Sequence, residues 1–409
     1  MPSLSDQAHL QNFVSWVKKN PSLILKLLRF FKPILTIKDF TIVSRFDDVQ
    51  EVLARDDVFD VTYQSKMEKV TGGQNFFLGM RDSAQYSRDV SNMRLAIRRD
   101  DLTTKVIPLL DAAIERRMAV LRGKGQCDVV QELTRIIPTE LVGAYFGTPG
   151  WDQTQFTDAA SLLFAYLFYP SDAEQESKAL AAAKQTCAYL DQTIAARKAQ
   201  PVNAEVDDVL QRCLQMQAAQ LPGNTDLDIR NNLIGIIIGA IPTTSKVAAL
   251  VLDYLLDQPK LLAQAQQAAQ NNDFAQLNQF VLESMRFQPF GPGLARVANQ
   301  DYVLGQGHWR ATKIPKGRNL FLHLQSAMLD GSKVIEADSF RLDRPAYIYM
   351  HYGYGLHTCF GQYINSVQIS RILQAVLKLK GLRRAPGEAG QLQIEGEFPA
   401  HLRIAYEPV

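Results

Sequence analysis

The chain is poor in cysteine: 409 residues hold four, Cys127, Cys187, Cys213 and Cys359, and no two stand in a C-x-x-C pair. That spacing argues against a zinc knuckle or a dithiol redox motif and fits a reducing, cytoplasmic setting. No excess of either charge exists, with 44 basic against 42 acidic residues and a formal net charge of +2. The electrostatic footprint of a nucleic-acid binder is therefore missing, and no nucleic-acid partner is expected. Internal repeats, low-complexity blocks and Pro/Gly/Ser-rich linkers are absent too. The early apolar stretch PSLILKLLRFFKPILTI is interrupted by Lys26, Arg29 and Lys32 and by a second proline. It is not a membrane span, and neither a transmembrane anchor nor a cleavable leader is expected. It reads as an amphipathic helix that packs on the body or guards an apolar opening, with contact at a membrane surface as the alternative.

What remains is an ordinary globular balance, 46% hydrophobic and 21% charged, with ample material for a core. Length alone suggests roughly two or three domains at ~150 residues each, but nothing in the composition divides them. PILTIKDFTIVSRF alternates as two short strands, and DDVQEVLARDD follows as a helix. Helical periodicity dominates from about residue 82 to 290, broken at GKGQ, GTPG, YPSD and PGNT. A period of two returns in LARVANQDYVLG, HWRATKI and NLFLHL. A helix then runs from about Gln362 to Lys380, and LQIEGEF and HLRIAYE close as strands. The fold class is mainly α with minor β (α+β), one unit over 1–409, with sheet near 34–45, 294–323 and 390–406.

The longest helical pattern starts at a cap in Asn224–Asp226 and runs through LDIRNNLIGIIIGAIPTTSKVAALVLDYLLDQ, about 45 Å at 1.5 Å per residue. Its middle is apolar on every face, as in a buried axle. Gly235 and Gly239, at i and i+4, leave a bare patch where something flat can lie close. Pro242 inside it removes a backbone hydrogen bond, at ~3 kcal/mol unless a kink is wanted.

HYGYGLHTCFGQ, residues 351–362, sets Gly353, Gly355 and Gly361 among bulky residues around Cys359. Such glycines suit a tight loop that lies flat against something large. A thiol just ahead of a helix also feels N-terminal amides that favour the thiolate. YGYGLHTCFG resembles the cysteine loop of the cytochrome P-450 family, F-x-x-G-x-H/R-x-C-x-G, with Tyr352 at the Phe position and Gly355, His357, Cys359 and Gly361 retained. ESMR supplies Glu283 and Arg286 of that family's E-x-x-R pair, and FRLDRP supplies Arg344, which completes the ion cluster in relatives. GLARVA supplies Arg296 at the strand position that holds a haem propionate. The resembling segments run in family order from about 35 to 405.

The resemblance implies a soluble bacterial-type protein of one cytochrome P-450 domain, with a long helix over a buried haem b. Cys359 would be the axial thiolate, a ligation that pushes electron density toward the iron and favours O–O cleavage. Gly361 would belong to the same haem cradle, and His357 and Arg296 would meet the propionates. Glu283, Arg286 and Arg344 would be structural. Phe76 and Phe77 of GGQNFFLGM, with Ile238, Gly239, Ile241 and Pro242, would line the substrate pocket.

Two departures stand out. Relatives carry an acid–alcohol pair in the long helix; here Thr243 and Thr244 supply alcohols, but Pro242 replaces the acid, and no acid lies between Asp228 and Asp253. Relatives often place His and then Arg four residues later for the propionates; here Tyr86 and Val90 stand there, and Arg94 is the substitute one turn on. The implied activity is oxygen insertion into a small apolar organic substrate, using O2 and a ferredoxin- or flavodoxin-type electron donor. The alternatives are a haem-thiolate enzyme that consumes peroxide or a hydroperoxide, which the missing acid favours and Ile241 disfavours, and a haem-binding scaffold without turnover.

Overall fold

Alternation in PILTIKDFTIV becomes a hairpin in which Ile34–Ile37 pairs antiparallel with Phe40–Val43. The computed structural model describes residues 21–38, 40–74, 76–200 and 205–408, so residues 1–20 of the one-domain expectation lie outside it. The chain gathers into two compact units, one formed by residues up to Thr62 together with Gly291–Thr358, the other by Tyr63–Phe290 together with Cys359 onward. The mainly helical fold with small sheets agrees with the sequence pattern.

In the first unit the hairpin grows into a five-stranded sheet. Phe40–Val43 lies parallel to Asn319–Leu322, which pairs antiparallel with Leu294–Ala298, which in turn holds the short strand Phe59–Asp60. One face of this sheet and the helix Phe46–Ala54 bury Val43, Val49, Leu53, Leu320 and Leu322 in a common apolar cluster. Asp48 of that helix is fully buried and is held by Arg310 Nε at 2.8 Å. HWRATKI contributes only Thr312–Ile314 as strand, because Gly305 and Gly307 take positive φ and His308–Ala311 closes into a turn.

The second unit is built round the helix Asp226–Leu256. Thr225 caps it with Asp228 in a reciprocal capping box, satisfying two orphan donors. The helices Ile136–Phe146, Gln153–Phe168, Ala173–Ala199 and Gln362–Leu377 pack against it, which is why its sequence is apolar all round. By length and composition alone it could cross a membrane, but 78% of its most apolar window is buried inside the protein. The helix runs unbroken through Pro242. Two-stranded and three-stranded sheets from Gln126–Asp128, Arg383–Arg384, Gln393–Glu395, Phe398–His401 and Arg403–Ala405 complete this unit.

Glu283 and Arg286 sit one turn apart on Phe274–Phe287, both with no exposed side-chain surface, joined by bonds of 3.0 and 2.9 Å. Removing one partner from such a pair strands the other charge away from water, at about 3–5 kcal/mol. Glu283→Ala should therefore lower the unfolding free energy measured in urea by that amount, whereas Glu115→Ala, which breaks an exposed pair with Arg122, should lower it by less than about 1 kcal/mol. Equal small shifts in the two variants would contradict a structural role for the buried pair.

Candidate active site

Cys359 lies three residues ahead of the first residue of the helix Gln362–Leu377, and it lines a slot in the second unit. Burial pushes the thiol pKa up, and the Gly361 backbone N–H, directed at the sulfur, opposes it. Desolvation and this N–H, one of the helix-end amides anticipated from sequence, act on the thiol in opposite directions, and a cation in contact with the sulfur would favour the thiolate. A side chain at Gly361 would reach the sulfur, since its Cβ would stand 4.0 Å from Sγ.

The opposite wall is the long helix, which presents Gly235, Ile236, Gly239 and Ala240. These are the i, i+1, i+4 and i+5 positions of one face. The Phe76 ring lies directly on Gly235, where any Cβ would collide with it, whereas a Cβ at Gly239 would meet nothing within 4 Å. Phe77 is fully buried, packs tilted against Phe76 with ring centres 4.2 Å apart and meets Phe360, the neighbour of the cysteine, at 5.2 Å. Leu141, Val142 and Phe146 add apolar wall. Of the residues expected to line the substrate pocket, Phe76 and Gly239 line this slot; Phe77, Ile238, Ile241 and Pro242 are buried outside its lining.

The two alcohols have different tasks. Thr243, one turn beyond Gly239, donates its hydroxyl to the Gly239 carbonyl. Such i−4 back-bonding loosens the local ladder, next to the bond that Pro242 cannot make. Thr244 is fully buried and donates to Asn365 Oδ1 at 3.0 Å, tying the long helix to the helix after the cysteine. Asn365 and Gln368 also line the slot, and Gln368 Nε2 is buried without a hydrogen-bond partner among the described residues. Neither was anticipated; their only signal in the sequence is the i, i+3 spacing that places both on one face of that helix.

The first unit holds the other loop residues. Gly353 and Gly355 take φ of +77° and +74°, and a Cβ at Gly355 would strike the Leu53 carbonyl. Asp56 clamps the loop, accepting the Leu356 N–H and contacting His357 Nδ1, each at 3.1 Å. Arg296, on the strand Leu294–Ala298, is buried and donates to the Ala295 carbonyl. Arg344 donates to the carbonyls of Ile335, Glu336 and Ser339 at 2.6–2.8 Å, stapling the loop that precedes it. Arg94, in the second unit, is exposed, while Tyr86 and Val90 of the same helix are buried.

One half-buried sulfur donor, a backbone N–H aimed at it and a facing helix with open space at Gly239 suit a flat, iron-bearing macrocycle better than a closed metal centre. Among the described residues no cluster of His, Cys, Asp and Glu forms an alternative metal site. The fold and this donor set define a haem-thiolate enzyme. The chain belongs to the cytochrome P-450 family, whose family model matches residues 5–386, and it is a monooxygenase of that family. It is similar to cytochrome P-450 109 of Bacillus spizizenii, 23% identical over 84% of this chain and 80% of that protein. It is similar also to the mycinamicin IV hydroxylase/epoxidase of Micromonospora griseorubida, 24% identical over 84% of this chain and 82% of the relative. Its match to psi-producing oxygenase A of Aspergillus fumigatus, at 25% identity, covers only 35% of that longer protein. The solved structure of CalO2 shares the fold with a TM-score of 0.79 at 21% identity, covering 96% of this chain and 97% of that one.

The two helix glycines should answer an added methyl group with opposite signs. In the haem-free protein, where a Cβ at Gly239 has open space, Gly239→Ala should stabilise by up to about 1 kcal/mol, the helix-propensity difference. Gly235→Ala should destabilise by about 1–3 kcal/mol as the Phe76 ring is forced away. Thermal unfolding of both variants checks this; a stabilised Gly235→Ala would contradict the described packing of Phe76.

Proposed function

We propose that this protein inserts oxygen into a small apolar organic substrate, hydroxylating or epoxidising it, with O2 as oxidant and a ferredoxin- or flavodoxin-type protein as electron donor, in the cytoplasm. The observation that carries the reading is the half-buried Cys359 sulfur in a slot walled by the long helix at its bare Gly239, with Thr243 one turn further along the same helix face. Haem b, ligated by Cys359, supplies the oxygen activation, favoured by the electron push of the thiolate. The chain's own contributions follow from its geometry. Gly361 N–H moderates the charge on sulfur. Phe76, Leu141, Val142 and Phe146 keep water out of the slot and offer an apolar surface to the substrate. Arg296 and His357 are the residues we assign to the propionates, with His357 oriented by Asp56.

Proton supply is the unusual part. With Pro242 in place of an acid, Thr243 Oγ is the hydroxyl nearest the bare helix face along the chain, and its proton rests on the Gly239 carbonyl. Moving that proton toward the slot requires the hydroxyl to leave the carbonyl and accept a replacement proton from water or from the substrate. The same missing acid favours a second reading, in which a peroxide is the oxidant and brings its own protons and electrons.

Turnover under two supplies separates them. Thr243→Ala should lower the reductase-driven rate by roughly tenfold or more, within reach of the 10²–10⁴-fold that positioned proton transfer contributes. It should affect a peroxide-driven rate far less. Pro242→Glu should change how much of the consumed reductant appears as product. Fast peroxide turnover, negligible reductase turnover and a silent Thr243→Ala would place the peroxide reading first.

A further inference from the structure

Between Arg230 and Asp253 the long helix carries a single charged side chain, Lys246. It is 8% exposed. Its ammonium stands 4.5 Å from the ring centre of Phe290, 5.5 Å from that of Phe398 and 5.6 Å from that of Tyr169. Its one side-chain hydrogen bond among the described residues is to the Tyr169 hydroxyl, at 3.3 Å. No described carboxylate lies within ion-pair distance. Burial pulls the lysine pKa down, and the more distant charge of Glu397 only partly offsets this. Three aromatic faces and one hydroxyl are weak compensation for an ammonium with three donors taken out of water. An apolar residue would pack in the same cage without that penalty, so fold stability alone does not account for the lysine.

Its position suggests what the charge is for. Lys246 is seven residues beyond Gly239, two turns along the same helix face and about 10 Å away. Its cage residues Tyr169 and Phe398 also wall a cavity of about 500 Å³, together with Leu162, Tyr166 and Pro399, a volume in the usual range for a small organic ligand. The remaining charges on that wall do not attract anions: Arg135 is tied to Asp158, and Glu395 and Glu397 are negative. Selection of an anion would therefore rest on Lys246.

We propose that Lys246, with the Tyr169 hydroxyl as a second donor, receives the carboxylate of an organic-acid substrate whose apolar body extends along the helix face toward Gly239. This names the substrate class within the oxygenase reading above, and it makes the acid end the anchor that sets which carbon reaches the slot beside Cys359. Tyr169 and Phe398 turn aside to admit the carboxylate from the cavity, and the ammonium exchanges its π contacts for a charge-assisted hydrogen bond.

Calorimetric titration of the haem-loaded, full-length protein with dodecanoic acid and with dodecan-1-ol at neutral pH tests the proposal without turnover. The acid should bind about tenfold more tightly than the alcohol, a difference of about 1.4 kcal/mol. Lys246→Met, which keeps the stem and fills the cage, should abolish that preference, and Lys246→Arg should retain most of it. Glu397→Gln, which leaves the cage intact, should tighten the acid several-fold and leave the alcohol unchanged. Equal binding of acid and alcohol by the unmodified protein, or a preference that survives Lys246→Met, overturns the proposal. Reductase-driven oxidation of a neutral alkane, measured alongside, reports on the oxygenase reading separately: its loss with acid preference intact overturns that reading and not the recognition by Lys246.

Discussion

The structure depends on holding a half-buried sulfur in a slot that is open to something flat. A buried thiol resists ionisation, and here desolvation exceeds the help from the Gly361 N–H. A partner that brings positive charge would favour the thiolate, and the wall across from it leaves open space at one glycine, Gly239. Gly235, Ile236, Gly239 and Ala240 supply that wall. A helix can leave such a bare stretch only if its other faces are held firmly, since glycine weakens helices. The surrounding helices do that, and Thr244 adds a buried hydrogen bond to Asn365 on the helix that follows the cysteine. The sulfur and the bare wall are thus fixed to one another through the second unit's own core.

Pro242 and Lys246 show how the same helix has been modified without being broken. Proline leaves the Ile238 carbonyl without its usual i+4 partner, and Thr243 turns its hydroxyl back to the next carbonyl, that of Gly239. A helix already tightly packed on several sides tolerates this. Four residues after the proline the chain places a cation in an aromatic cage, so the middle of this helix has lost an acid and gained a buried base.

Much of this was legible in the residues. The cysteine loop carries two of its three glycines, Gly353 and Gly355, where φ is positive, and the long apolar run could only be a buried helix. The side of it that faces the slot was not legible. A helix that is apolar all round has no hydrophobic phase, so Ile238 and Ile241 look as eligible as Ile236 and Ala240; only the glycine pair marks a phase, and both glycines line the slot. The bonds of Arg344 to three carbonyls depend on a loop whose course no periodicity encodes. Strands such as Phe59–Asp60 and Arg383–Arg384 are two residues long, too short for alternation to register. Asn365, Gln368 and Lys246 escaped because each acts through a neighbour distant in sequence, and Tyr169 and Phe398 meet Lys246 only in the folded chain.

The central claim is that Cys359 ligates the haem iron as a thiolate, and the absorption spectrum of the ferrous carbon monoxide complex tests it most directly. The account predicts the red-shifted Soret band of thiolate ligation in the purified protein and its loss in Cys359→Ser. A Soret band at the position typical of histidine ligation, unchanged by Cys359→Ser, would contradict it.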